Sequence, residues 1–298
     1  MAIKLDNLVS AIHGTAALGA LCLSWVSIAN DAPIHPVNTT KWFQQTQLPN
    51  GDAWFNDEQQ HYTNRITNAF VSDGTLKIVA KKEPFADQGK TKQYTSARLN
   101  SKFAFKYGRI EVRAKLPAGS GTWPAIWTLG KNIKEAGAYW QTQGYGTMLW
   151  PECGEIDIME HWGSQPNFVQ SAMHTPSSSG DTVNKGGQTI ATATTDFHVY
   201  ATHWSADSIA FSVDDKVHYR YQPSAKNART WPFDREQYVV LNLAIKPTID
   251  STFKSAEMEI DYIRIFAPDA GPGDKPIWSD EFNSVSYTHL TLPTKSTV

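Results

Sequence analysis

The residues best suited to chemistry are the three acids of Gly154-Glu155-Ile156-Asp157-Ile158-Met159-Glu160. On a strand, successive side chains alternate between faces, so Glu155 and Asp157 share one face while Ile156 and Ile158 share the other. Met159, not Glu160, is next in line on the acidic face. Glu160 joins the row only when one extra residue bulges out near Ile158-Met159. With that residue absorbed, the two Glu backbones stand about four strand steps, roughly 13 Å, apart. Side chains leaning together then bring the carboxyls to about 5–6 Å, close to the separation of a retaining glycosidase. Three acids crowded on one face cannot all ionise cheaply, so at least one pKa rises. An acid still protonated near neutrality is what a glycosidic leaving group requires. Two other readings of the row stand beside this one: solvent-facing acids without a role, and a carboxylate site for calcium.

The elements that must hold these acids are strands. From about Phe70 onward the chain alternates or runs β-branched and aromatic, as in SARLNSKFAFKYGRIEVRAKLP, SIAFSVDDKVHYRY and MEIDYIRIFA. Asp73-Gly74, Tyr107-Gly108, Ala206-Asp207 and Asp214-Asp215 mark turns between them. No segment carries a sustained 3.6-residue apolar repeat. Ten or more short strands predict an all-β, two-sheet sandwich. Eleven Trp and eleven Tyr against five Met give enough flat aromatic surface to stack sugar rings, or simply an aromatic-rich core. Trp123 and Trp127 in Gly121-Thr122-Trp123-Pro124-Ala125-Ile126-Trp127 share one strand face, where they could form a sugar platform or pack in the core; Trp140, Trp150 and Trp162 are further aromatics near the acids.

The 298 residues carry a formal net charge of −2, which gives no argument for nucleic acid or an anionic lipid surface. The opening stretch has an apolar run from about Ala16 to Ile28 followed by Ser27-Ile28-Ala29, the pattern of a signal peptide ending at residue 29. The run is too short and interrupted to span a membrane. Export to the extracellular space or periplasm is therefore expected. Once the leader with Cys22 is gone, Cys153 has no intrachain partner. Residues 30–267 form the expected catalytic domain, and Pro268–Pro276 (PDAGPGDKP) reads as a linker. The tail from Val285 (285–298) lacks alternation and turn logic and reads as a sequencing-adapter artefact.

GTWPAIW, WPECGEIDIMEHWG and SAMHTP together resemble glycoside hydrolase family 16, in particular its laminarinase-like, endo-β-1,3-glucanase branch. The likeness runs from KWF at Lys41 through WFNDEQQHYTNR to MEIDYIRIFA, nearly all of 30–267. It implies a jelly-roll sandwich of the concanavalin A-like type, with a concave substrate cleft and hydrolysis with retention. By the same resemblance Glu155 matches the nucleophile, Asp157 its assisting acid and Glu160 the general acid/base. His174 matches a cleft histidine; Arg98, Trp123, Trp127, Asn56 and Tyr62 match sugar-contacting positions. For His174 a buried structural histidine is the competing reading. No cofactor is required, although the family often holds a structural calcium near an acid such as Asp261.

Two departures from the family stand out. Its opening W-S-D-E-F-N strand is missing before Lys41-Trp42 and appears as Trp278–Asn283, after the linker. The segment 277–284 is then either the start of a truncated second module or a displaced first strand folded back beside Met258–Ala267. In addition, Leu243-Ala244-Ile245 runs straight into Lys246-Pro247-Thr248, where the family has a Gly-rich loop, and the shortening would open the cleft at one end. The function expected is a monomeric, secreted enzyme cleaving β-1,3- or mixed β-1,3-1,4-glucan. The alternatives are a relative acting on agar or carrageenan, a transglycosylase using the same residues, and a non-catalytic carbohydrate-binding sandwich.

Overall fold

A computed structural model describes residues 33–283; the signal-peptide and adapter-tail readings fall outside these residues. The strands in chain order are β1 (His35–Pro36), β2 (Trp42–Gln44), β3 (Gln60–Tyr62), β4 (Ala69–Ser72), β5 (Thr75–Asp87), β6 (Lys90–Ser96), β7 (Arg98–Phe105), β8 (Gly108–Lys115) and β9 (Thr122–Gly130). There follow β10 (Glu155–Glu160), β11 (Phe168–His174), β12 (Lys185–Thr189), β13 (His198–Trp204), β14 (Ile209–Val213), β15 (Lys216–Tyr221), β16 (Gln237–Ile245), β17 (Ser255–Phe266) and β18 (Trp278–Asp280). The helix Tyr139–Thr142 is a single turn. Among the described residues no helix is long and apolar enough to cross a membrane.

The strands build two antiparallel-dominated sheets. One runs β12-β11-β10-β9-β16-β7-β2; the other is eleven-stranded and centred on β5-β17-β8-β13. Alternation drives the second sheet: in β8, Ile110, Val112 and Ala114 are buried while Arg109, Glu111, Arg113 and Lys115 point away from the core. The first sheet differs because both of its faces are covered or concave. All nine residues of β16 are buried: one face joins the main core, while on the other Tyr238 and Val240 pack with Ile133, Ala138 and Cys153 and Asn242 reaches the cleft. Two Asp-initiated turns have left-handed φ at both central residues, Asp73-Gly74 (50° and 73°) and Asp214-Asp215 (48° and 62°), which matches the twist of tight hairpins.

The Trp278–Asn283 segment returns to the body of the fold. β17 pairs with β5 through Ser255–Ile260, and beyond β5 it pairs with β18 through Ile263–Ile265. β18 thus continues a ladder whose backbone groups would otherwise face outward. Trp42 Nε1 donates to Asp280 Oδ2 at 2.8 Å, and Lys41 Nζ donates to Ser279 O at 2.7 Å. The Phe282 ring, 4% exposed, stacks 6.3 Å from Trp42, and Glu281 takes a two-pronged hydrogen bond from Arg264. Burying a Phe of this kind contributes about 1.5–3 kcal/mol.

Asp261, the acid expected beside a structural calcium, lies on β17. Its carboxylate accepts from the Arg113 guanidinium at 2.5 Å, and no cluster of metal-ligating side chains surrounds it among the described residues.

Candidate active site

β10 carries the acids, and its ladders show the extra residue that the sequence demanded. Against β9, Asp157 faces Trp127 and Met159 faces Ile126; the register shifts between them, and again between Asp157 and Glu160 against β11. Ile156, Ile158 and Met159 all enter the core, while Glu155, Asp157 and Glu160 line the cleft. Gly154 enters β10 at φ +77°, where a Cβ would sit 3.0 Å from the Phe233 ring, so the strand's entry needs glycine.

The cleft holds about 480 Å³, a size suited to several sugar units of a chain. Its floor is read from alternate residues of neighbouring strands: Trp123, Ala125, Trp127 and Leu129 from β9, and Gln170, Ala172 and His174 from β11. The aromatic excess divides accordingly. Trp42, Trp54, Trp204 and Trp231 are buried in the body, while Trp123, Trp127, Trp150 and Trp162 line the cleft. Trp123 and Trp162 stack at 6.1 Å.

His174 Nε2 lies 2.9 Å from Asp157 Oδ2 and 3.6 Å from Glu155 Oε1. The Asp157 contact is misaligned for hydrogen bonding, so Asp157 Oδ2 is buried without a hydrogen-bond partner. Trp150 Nε1 donates to Glu155 Oε2 at 3.0 Å. Gln170 makes a long contact of 3.4 Å with Glu160 Oε2. Burial pushes the carboxyls of Glu155, Asp157 and Glu160 up to about 8, and for Glu155 and Glu160 the neighbouring Asp157 charge adds to the rise. Acids this close titrate as a coupled set, and at least one proton stays on the row near neutrality. One oxygen or nitrogen each of Glu155, Asp157 and His174 lies within 4.8 Å of the others, the one grouping among the described residues that could take a metal ion.

Of the other residues singled out in the sequence, His174, Trp123, Trp127, Arg98 and Asn56 all reach the cleft wall. Arg98 does so with only 3% of its surface exposed. Tyr62 does not. It is fully buried, donates to Glu58 Oε2 at 2.8 Å and accepts from Asn242 Nδ2 at 3.0 Å, so it supports the floor from beneath. Asn242 Oδ1 in turn accepts from Trp127 Nε1 at 2.7 Å, which fixes the tilt of that indole.

Lys246 stands where the sequence suggested an opening. Its ammonium lies 4.5 Å from the Trp123 ring centroid and donates to Asn56 O at 3.0 Å, tying two parts of the cleft wall together. Asn56 and Asp57 have φ of 54° and 57°, a strained pair at the cleft edge that this contact helps to hold. Glu58, Glu135, Gln170, Asn242 and Lys246 line the cleft without having been singled out as site residues. Two carried a readable signal. Gln170 alternates with His174 on the strand after the acids, and Asn242 interrupts the apolar run YVVLNLAI.

A β-sandwich with a row of protonatable carboxyls on the floor of an aromatic-walled groove has the make-up of an enzyme that cleaves polysaccharides. The sequence profile of glycosyl hydrolases family 16 matches residues 56–264. A β-glucanase from Rhodothermus marinus is 40% identical over 233 residues, which span 72% of this chain and 76% of that protein. The crystal structure of LamA from Z. galactanivorans in complex with laminaritriose and laminaritetraose is 44% identical, with a TM-score of 0.71 over 78% of this chain and 94% of that one. The X-ray structure of the laminarinase from Rhodothermus marinus is 37% identical, with a TM-score of 0.67 over 79% and 94% of the two chains. The chain belongs to glycosyl hydrolases family 16.

Proposed function

We propose that this protein is a secreted, monomeric endo-glucanase that hydrolyses β-1,3 linkages, including those of mixed β-1,3-1,4-glucan, with retention of configuration. The observation that carries the reading is the bulged row Glu155, Asp157 and Glu160 on the floor of an open groove. A carbohydrate-binding sandwich has no need of three acids held together at the expense of their ionisation.

The environment separates the roles. Glu155, with 16% of its side chain exposed, takes the Trp150 N–H and faces His174, so it is the acid best supported as an anion. Glu160 has only the long Gln170 contact and the nearby Trp123 indole, so it keeps its proton. Glu160 donates that proton to the glycosidic oxygen as Glu155 attacks the anomeric carbon. The C–O bond to the leaving chain breaks and a glycosyl ester forms on Glu155. Glu160, now a carboxylate, takes a proton from water, which releases the sugar and restores both groups. Asp157 and His174 stand beside Glu155, with His174 Nε2 2.9 Å from Asp157 Oδ2 and 3.6 Å from Glu155 Oε1. This chemistry needs two carboxyls, a proton and water, and no cofactor.

The cleft favours a neutral polymer over a sulfated one. Arg98 is paired with Glu135 and Lys185 with Asp181, which leaves Lys246 as the cleft cation without an acidic partner among the described residues. On a panel of laminarin, lichenan, agarose and carrageenan, laminarin should give a ladder of short oligosaccharides early in the reaction and lichenan a slower one, with no release from the two galactans. Release from agarose or carrageenan with laminarin untouched would replace this reading with the galactan alternative.

A further inference from the structure

We propose that Glu135 is a substrate-binding residue, the acceptor of a sugar-hydroxyl subsite at some distance from the acids, with Arg98 and Gln45 holding it in place. The proposal rests on the glucanase reading and adds to it a residue in a loop with no sequence signal. Glu135 lies between β9 and the short helix, 8% exposed, at the surface of the cleft. Its Oε1 accepts from Gln45 Nε2 at 2.6 Å and from Arg98 Nη2 at 3.0 Å. Its Oε2 has no hydrogen-bond partner among the described residues, yet it is absent from the atoms sealed away from solvent. That oxygen is therefore within reach of solvent, on a residue that lines the cleft.

The surroundings are those of a pyranoside subsite. The Arg98 guanidinium lies 4.8 Å from the Trp127 ring and 5.3 Å from the Trp54 ring, which orients its fork toward Glu135. Trp127 lines the cleft, and an adjacent carboxylate oxygen can accept the hydroxyls of a sugar ring held beside it. Arg98 stands on β7, three strands across the sheet from β10, or about 14 Å at normal strand spacing. A subsite there lies two to three sugar units from the bond being cleaved.

The test is a length series of laminari-oligosaccharides with wild type and E135Q, both checked for an unchanged melting temperature. The amide keeps the volume and one oxygen for Arg98 and Gln45 but turns a donor, or a neutral acceptor, toward the cleft. A charged hydrogen bond of this kind is worth roughly 10- to 100-fold. The expected result is a loss of that size in kcat/KM on long chains, borne mainly by KM, that shrinks as the chain becomes too short to reach Glu135. Should E135Q fail to fold, E135D retains the charge, draws the oxygen back from the cleft, and is expected to show the same length dependence. A loss equal at every length, or none at all, would overturn the proposal. Failure of the wild type to cleave any member of the series would overturn the glucanase reading and the proposal with it, a result distinct from an unchanged length profile.

Discussion

Glu155→Gln is expected to lower laminarin hydrolysis by about 10⁴-fold or more while leaving oligosaccharide binding in place, because the covalent step has no substitute nucleophile. The variant keeps the shape of the side chain and a partner for Trp150 Nε1, which donates to Glu155 Oε2 at 3.0 Å in the native protein. Binding should survive because the platforms Trp123 and Trp127 stand on β9, a neighbouring strand that the change does not touch. Calorimetry with laminari-oligosaccharide, run beside a reducing-sugar assay, separates the two quantities. Turnover that persisted in a folded, sugar-binding variant would remove Glu155 from the role assigned to it.

Glu160→Gln is expected to produce a loss that depends on the leaving group. On laminarin, whose leaving group is a sugar hydroxyl, the general acid contributes about 10²–10⁴-fold. An aryl glycoside with an acidic phenol leaves unaided, so its first step should continue and the glycosyl-enzyme should accumulate. Added azide, which needs no base, should restore turnover of that substrate. Burial and the Asp157 charge push Glu160 up to about 8, so the wild-type rate should fall on the alkaline side as that proton is lost, and this limb should vanish in the variant. The stability readout has a definite sign. Between the ordinary value of 4.5 and about 8 the folded protein keeps a proton that the unfolded chain has released, so native stability declines as pH rises through that window. The amide removes the decline, and its melting temperature should gain on wild type more at pH 8 than at pH 4. A uniform loss across all leaving groups, with the alkaline limb intact, would assign the acid/base role elsewhere.

How much of this was legible beforehand depended on how local each signal was. The acid row could be read because alternation, the paired isoleucines and the misplaced Met159 together required a bulge, and the bulge lies between Asp157 and Met159. Most strands from β4 onward were visible for the same reason, but β6 (KTKQYTS) and β12 (KGGQT) are polar or Gly-rich and show no apolar alternation. β1, β2 and β3 have only two or three residues each, too few for a period to emerge, and they exist because β4, β7 and β6 offer them partners. Tyr62 was placed among sugar contacts although all three residues of β3 are buried; nothing local tells a cleft-facing tyrosine from one that supports the floor from below. Glu135 was invisible because its meaning comes from Arg98 and Gln45, distant in the chain and brought beside it only by the folded sheet. For Trp278–Asn283 the sequence supplied two destinations, and the contact of Phe282 with Trp42 is a tertiary fact of the same kind.

The central claim is attack by Glu155 on the anomeric carbon, and the stereochemistry of the first product tests it most directly. Proton NMR in D₂O should follow the new reducing end as laminari-oligosaccharide is cleaved by a large amount of enzyme. Two displacements at one carbon return the starting configuration, so the β-anomer signal should rise first and the α-anomer should follow only at the pace of mutarotation. An α-anomer that appears first would mean a single displacement by water, and it would contradict the covalent role of Glu155.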